Sequence, residues 1–224
     1  MADDSYSVSA RTSPTRKPDR VHYDRAAVHA VLDEALVCHV GFVVDGRPVV
    51  LPQLHARVED RLYLHGSTGA RALRTARAGG LDVCVTATLT DGLVLARSAF
   101  HHSINYRAVV AHGTATLVED PAEKEAALAA LVDTVAPGRM AATRAPTGKE
   151  LAATAVLRLD LAEVSLKMRT GEPVDDPEDH ALPYWAGVLP LTVVAGAPQP
   201  AADLPSSAPV PAHVTEWARP GPGR

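Results

Sequence analysis

The stretch His65-Gly66-Ser67-Thr68-Gly69-Ala70-Arg71 places a histidine, two glycines, two hydroxyls and an arginine within one short segment. Glycine tolerates backbone dihedrals that other residues avoid, so neighbouring N–H groups can converge on one point. The apolar run Leu62 to Leu64 leads in, and an arginine-rich helical segment follows, whose N-terminus carries partial positive charge. Together these are the parts of a cradle for a phosphate-sized anion. The same residues also suit an ordinary strand-to-helix turn, in which Gly66 and Gly69 only permit the bend and Arg71, Arg74 and Arg77 face water. Local sequence leaves both readings open. A second polar cluster interrupts two β-rich runs: Ser98, Ser103, Asn105, Tyr106 and Arg107 in "SAFHHSINYRAVV" are either hydrogen-bonding groups for a ligand or the turn residues of a long hairpin. The 10 histidines raise the question of a metal. They sit mostly on separate predicted strands and loops, and the adjacent pair His101-His102 would point to opposite faces of a strand, so no structural zinc site is expected. His65 is different. It ends the strand before the cradle, where a neutral imidazole can donate a hydrogen bond or a proton to a ligand, or else only cap the loop backbone.

Several elements must position these groups. "DRAAVHAVLDEAL" is a helix with Asp24 as N-cap and Val28, Val31, Leu32, Ala35 and Leu36 on one face. Strands follow: "VCHVGFVV", a hairpin turn at Asp45-Gly46, "PVVLPQLHARV", the polar "EDR", then "LYLH". Beyond the arginine-rich helix, "LDVCVTATL" is expected to turn at Asp91-Gly92 into "LVLARSAF", and "RAVVAHGTATLV" completes six strands, with Gly113 a candidate bulge. "DPAEKEAALAALVDTV" is a helix capped by Asp120, with Pro121 in its first turn and Glu123 completing an Asp-x-x-Glu capping box. Its stripe of Ala127, Leu128, Leu131, Val132 and Val135 needs a sheet to cover. Thr147 to Glu150 forms a second box, and "TAVLRLDLAEVSLKM" supplies a last strand. Hairpin-linked strands with few helices predict a mainly β fold: a six-stranded antiparallel barrel with peripheral helices.

Composition limits what such a barrel does. With 224 residues, 46% hydrophobic and 21% charged, one domain is expected, spanning 21–192. The polar N-terminal arm 1–20 and the Pro/Ala-rich tail 193–224 are expected to be disordered. A net charge of -4 and a pI of about 6.2 give the whole molecule no electrostatic case for nucleic acid. No apolar run is long enough to span a membrane, and the first residues lack the apolar centre of a signal peptide, so a cytoplasmic protein is expected. Cys38 and Cys84 lie in strand-like runs without metal or disulfide spacing and read as small buried hydrophobes. The dinucleotide-binding G-x-G-x-x-G, the Walker motif, the G-x-S-x-G elbow and H-E-x-x-H are all missing.

The order "GRPVVLP", "DRLYLHGSTGARAL" and "DGLVLARSAFHHSINYRAVVAHGTATLVEDPAEKEAAL" resembles the pyridoxamine 5'-phosphate oxidase-like family of FMN-binding split-barrel flavoproteins. The resemblance is nearest to the branch of nitroimidazole-resistance and flavin-nucleotide-binding proteins, and covers roughly Arg20 to Leu191, including "PYWAGVLPL". It implies a split β-barrel, a homodimer and FMN at the subunit interface. It places the phosphate on His65, Gly66, Ser67 and Arg71, where Ala72 replaces the second basic residue usual in the oxidases. It places the flavin ring along Pro52, Gln53 and Leu54, with His55 where tyrosine is usual. By the same resemblance Ser98, Asn105, Arg107, Lys167 and Trp185 belong to the cofactor site, with Arg169 near them, and His65 takes a catalytic role. The implied function is FMN-dependent oxidoreduction of a small molecule, with a nicotinamide donor. The alternative is a flavin carrier or a heme-binding split barrel in which His65 is an axial ligand. The C-terminal Arg and His side chains that hold pyridoxal phosphate in true oxidases have no match in "PAHVTEWARPGPGR", so that reaction is not expected.

Overall fold

The computed structural model of the chain describes residues 4–69, 76, 79–205 and 207–218. Its strands are β1 (Val21–His22), β2 (Val37–Val44), β3 (Arg47–Val58), β4 (Arg61–Ser67), β5 (Leu81–Leu95), β6 (Ser103–Leu117), β7 (Thr154–Asp160), β8 (Glu163–Arg169) and β9 (Gly187–Pro190). The helices are α1 (Arg25–Glu34), α2 (Pro121–Val135), α3 (Gly148–Ala153) and α4 (Ala212–Thr215). Every paired strand runs antiparallel to its neighbour, in the order β1-β8-β6-β7-β4-β3-β2-β5-β9, and an additional β5–β6 pairing closes six of them into a ring. This is the expected barrel. Among the described residues no helix is long and apolar enough to cross a membrane.

Alternation builds the core. Along β2, Cys38, Val40, Phe42 and Val44 are buried while Val37, His39 and Val43 face outward. α1 brings Val28, Val31 and Leu32 onto the same cluster, which also holds Leu62, Leu64, Leu89, Val109, Leu159 and Leu166. Its start is set where the sequence predicts, Asp24 Oδ1 accepting from Ala27 N–H at 2.7 Å. α2 lies outside the ring, Ala127 packing on Tyr63, Val118 and Val156 in a second cluster. Cys84 departs from expectation in being only half-buried, whereas burial pushes the Cys38 thiol up to about 12.

Two strand predictions need correction. Asp45-Gly46 is a hairpin turn, both residues at positive φ (51° and 73°), as a two-residue type I′ loop requires. Asp91-Gly92 is not a turn: β5 runs straight through it, with a register shift against β6 between Thr90 and Gly92. The glycine is needed for space, since a Cβ there would lie 3.1 Å from Leu189 O on β9. Gly113, in turn, is no bulge. A Cβ there would sit 2.7 Å from Leu159 Cδ1 on the neighbouring β7, so the glycine makes room for that side chain. The predicted last strand is two, β7 and β8, each with its own partners.

Described residues of both terminal segments make contacts with the barrel and α2. Tyr6 is 3% exposed, its hydroxyl 3.0 Å from His29 Nε2 and donating to Asp60 Oδ1 at 3.1 Å, with the Arg25 guanidinium stacked over its ring. Tyr23 O–H donates to Thr12 O at 2.8 Å. At the other end, the Trp217 indole N–H donates to Val135 O at 2.8 Å and so ties the tail to the C-terminus of α2.

Candidate functional site

β4 extends two residues beyond the apolar run, so His65, Gly66 and Ser67 are strand residues paired with Val156, Ala155 and Thr154 of β7. Gly66 is therefore extended backbone, and the loop proper begins at Thr68, whose N–H donates to Ala153 O at 3.2 Å. Ser67 Oγ accepts from Gly69 N–H at 3.4 Å. Arg71, Arg74 and Arg77 lie outside the described residues.

The His65 imidazole is exposed and has no hydrogen-bond partner among the described residues. It looks into a cavity of about 630 Å³ between the barrel wall, α2 and α3. Leu54 of β3 lies on the same wall; Leu128, Leu131, Val132 and Val135 of α2 face it, and Met140 and Leu151 complete an apolar lining. That volume falls within the ~300–1,000 Å³ usual for small-molecule sites. The helix stripe read from sequence as core thus splits its duty: Ala127 and Leu131 are buried, while Val135 is 45% exposed at the cavity wall.

Arg144 and Glu150 line the polar side of the same cavity. Glu150 closes the predicted capping box of α3, accepting from Thr147 N–H at 2.7 Å while Thr147 Oγ1 accepts from Glu150 N–H at 3.3 Å. Arg144 donates to both carboxylate oxygens, at 2.6 and 2.8 Å. These bonds, that from Arg144 foremost, hold the Glu150 carboxyl down at about 2. The other expected box does not form. Asp120 caps α2 through Ala122 N–H and Glu123 N–H, but the Glu123 carboxylate turns away to Tyr63 O–H at 2.8 Å and Arg158 at 3.3 Å.

The remaining sequence candidates lie elsewhere. β3 pairs with β2 through Leu54 and with β4 only from His55 onward, so the far edge of Pro52 and Gln53 carries no strand among the described residues. This is the split in the barrel. His55 is wholly buried, its Nε2–H donating to Leu32 O at 2.9 Å while Nδ1 has no partner; burial lowers its pKa. Its ring fastens α1 to β3 and reaches no surface on which a ligand could stack. Ser98 Oγ accepts from Phe100 N–H at 3.2 Å. Asn105 is 8% exposed, donating to Gly171 O at 3.1 Å and accepting from Arg169, which also donates to Glu172 O at 3.0 Å. Arg107 bonds both oxygens of Glu34 (2.6 and 3.1 Å) and both of Asp91 (3.0 and 2.7 Å), and these carboxylates, Asp91 first, raise its already high pKa. Lys167 is exposed on β8, and Trp185 is 67% exposed, its ring against Gly187. Among the described residues the chain thus joins His65 with Leu54 and leaves His55, Ser98, Asn105, Arg107, Lys167 and Trp185 on separate surfaces or within internal networks. Sequence reasoning missed Arg144, Met140 and the cavity face of α2, whose only signal was an apolar stripe longer than the sheet could cover.

Comparison with known proteins agrees with this architecture. The family model described as pyridoxamine 5'-phosphate oxidase matches residues 24–168. The structure of the flavocytochrome Anf3 from Azotobacter vinelandii superposes with a TM-score of 0.87 at 39% identity, over 94% of this chain and 97% of that one. The FAD and heme binding protein from Mycobacterium smegmatis gives 0.84 at 41% identity, over 90% and 98%. A candidate 5-nitroimidazole antibiotic resistance protein from Bacteroides thetaiotaomicron shares the fold, at 0.56 and 21% identity, over 66% and 85%. Among curated protein sequences nothing matches the chain. With more than half its length matched by the family and two solved structures at about 40% identity covering nearly all of it, this chain belongs to the pyridoxamine 5'-phosphate oxidase family and has its split-barrel fold.

Proposed function

We propose that this chain is a redox protein that binds a flavin nucleotide and a heme, with His65 as the heme's protein ligand. The observation that carries the reading is the unpartnered His65 imidazole at an apolar cavity of about 630 Å³, in a chain about 40% identical to a flavocytochrome and to an FAD and heme binding protein. The residues present fit a heme. The lining is mainly apolar, no carboxylate or backbone carbonyl among the described residues bonds the imidazole, and a histidine nitrogen is an established protein ligand for heme iron. Bound together, a flavin and a heme supply coupled two-electron and one-electron transfer.

The protein's share of that chemistry is position and polarity. The pairing of β4 with β7 fixes the strand from which His65 projects, and the apolar residues of α2 line the same space. Gly66, Ser67 and Arg71 keep the phosphate role given by the resemblance, and Pro52, Gln53 and Leu54 the ring. FAD is favoured over FMN by the second of the two neighbours. Asn105 and Arg107 act through the scaffold that holds β5, β6 and α1, and Lys167 and Trp185 remain available to a cofactor shared between copies. The exposed apolar residues Val43, Val50 and Leu51 on the β2–β3 hairpin, at 60%, 62% and 40%, support a homodimer. Sedimentation equilibrium should give a dimer that Val50→Asp dissociates.

The deciding experiment is an absorption spectrum of the purified protein after reconstitution with flavin and hemin. Both a flavin band and a Soret band are expected, and His65→Ala should lose the Soret band while keeping the flavin. A Soret band unchanged in His65→Ala would remove heme ligation from this residue. Flavin affinity unchanged in Arg71→Ala would remove the phosphate assignment. Turnover of a nicotinamide donor with a small-molecule acceptor then separates an enzyme from a carrier.

A further inference from the structure

The cavity lining is mainly apolar, and its charged residues include the Arg144–Glu150 pair. The Arg144 side chain is 68% exposed and that of Glu150, its partner, 49% exposed, and both line the cavity. Among the described residues lining the cavity, Arg144 is the one arginine or lysine, while Glu125 and Glu150 are carboxylates. The capping bonds of Glu150 do not run through Arg144. Thr147 N–H and Thr147 Oγ1–H donate to Glu150 Oε2 at 2.7 and 3.0 Å, so the capping box survives if the guanidinium leaves. Exposed ion pairs add little net stability, and the remaining Arg144 bond, to Ala145 O at 3.0 Å, is local. Arg144 is therefore a cation that can be released cheaply at the edge of a cavity whose own charges would otherwise repel an anion.

We infer that Arg144 is a carboxylate latch: it moves from Glu150 to an acidic group carried at the polar edge of an apolar ligand seated against His65. The inference rests on the heme reading above, since heme has that form, an apolar ring plane with carboxylates along one edge. A guanidinium is suited to the task because its planar fork meets a carboxylate with two parallel hydrogen bonds. The latch then does two things at once. It orients the ring so that the carboxylate edge faces the rim and the apolar edge faces Leu128 and Leu131, and it discriminates against rings without acids.

The test compares hemin with its dimethyl ester, which has the same ring and iron but no free carboxylate, by Soret titration of the whole chain. The wild type should bind hemin about tenfold more tightly than the ester, the size expected of one charge-assisted interaction. Arg144→Ala should erase that difference by weakening hemin alone, with an unchanged thermal melt showing that the capping box holds. Glu150→Gln, which keeps an N3 partner for Thr147 but frees the guanidinium, should tighten hemin and leave the ester unaffected. Equal binding of hemin and ester by the wild type overturns the latch and leaves His65 ligation standing. Failure of both ligands to give a Soret shift overturns the heme reading, and the latch with it.

Discussion

Two regions of this barrel hold polar side chains of similar type in opposite states. Around the β5–β6 end, Arg107 is gripped by Glu34 and Asp91, and Arg169 by Asn105 and the carbonyls of Gly171 and Glu172. Around the cavity, His65 has no partner among the described residues and Arg144 holds an exposed one. A polar group whose every hydrogen bond is met inside the protein contributes to the fold. One left unmet at an apolar cavity is available to a ligand. The type of residue did not distinguish the two regions, since both contain arginines and polar neighbours at plausible spacing. Availability did.

The comparison is broken most severely at Arg107. Replacing it with leucine removes the guanidinium that bonds both carboxylates, whose side chains are 11% and 31% exposed. Truncating one partner of such a network typically costs about 3 kcal/mol when it is well buried, and somewhat less here because Asp91 reaches solvent. The urea midpoint of Arg107→Leu should fall accordingly, while the protein that remains folded should still take up heme. If instead stability is unchanged and flavin binding is lost, Arg107 belongs to the cofactor site and the division between the two regions fails.

How much of this was visible in the sequence follows the same line. The caps at Asp24 and Asp120, the Asp45-Gly46 hairpin and the alternation along β2 are local physics, and the chain reports them directly. Asp91-Gly92 has the same dipeptide as the hairpin turn, yet it is a bulge, because β9 packs against Gly92 and Asp91 must turn toward Arg107. Neither partner is near in sequence. Tyr6 and Trp217 sit in polar, proline-bearing segments that look solvated, and each is docked through one aromatic whose partner, Asp60 or Val135, is remote. The cavity was hidden for a further reason: an apolar stripe looks the same whether it meets a sheet or an empty space.

A second prediction uses pH to sharpen the contrast between a histidine in the scaffold and one at the site. His55 is buried with Nε2–H committed to Leu32 O, so burial favours its neutral form and lowers its pKa in the folded state. Above the unfolded value of about 6.5 both states are neutral and His55 adds no pH dependence. As pH falls below that value the unfolded chain takes up a proton that the folded chain refuses, and stability declines until the folded pKa is reached. His29, also lowered chiefly by burial, adds in the same direction. Urea midpoints should therefore drop between about pH 7 and about pH 5, and the drop should be smaller in His55→Gln, which carries no titrating ring. An equal drop in the variant would assign the acid sensitivity elsewhere.

The smallest effect is expected where the functional claim is strongest. His65 projects from β4 into open space, so His65→Ala removes no internal hydrogen bond and leaves no orphaned buried group among the described residues. Its unfolding free energy without added hemin should stay within about 0.5 kcal/mol of wild type, as for surface substitutions away from packed or networked positions. With saturating hemin the wild type should gain stability by mass action and the variant should not, so the two melts separate only when the ligand is present. That pattern, silent in the empty protein and visible in the loaded one, is the signature of a residue kept for a ligand. A loss of stability in the empty variant would mean that His65 is part of the scaffold after all, and that the two ends of the barrel differ less than their hydrogen bonds imply.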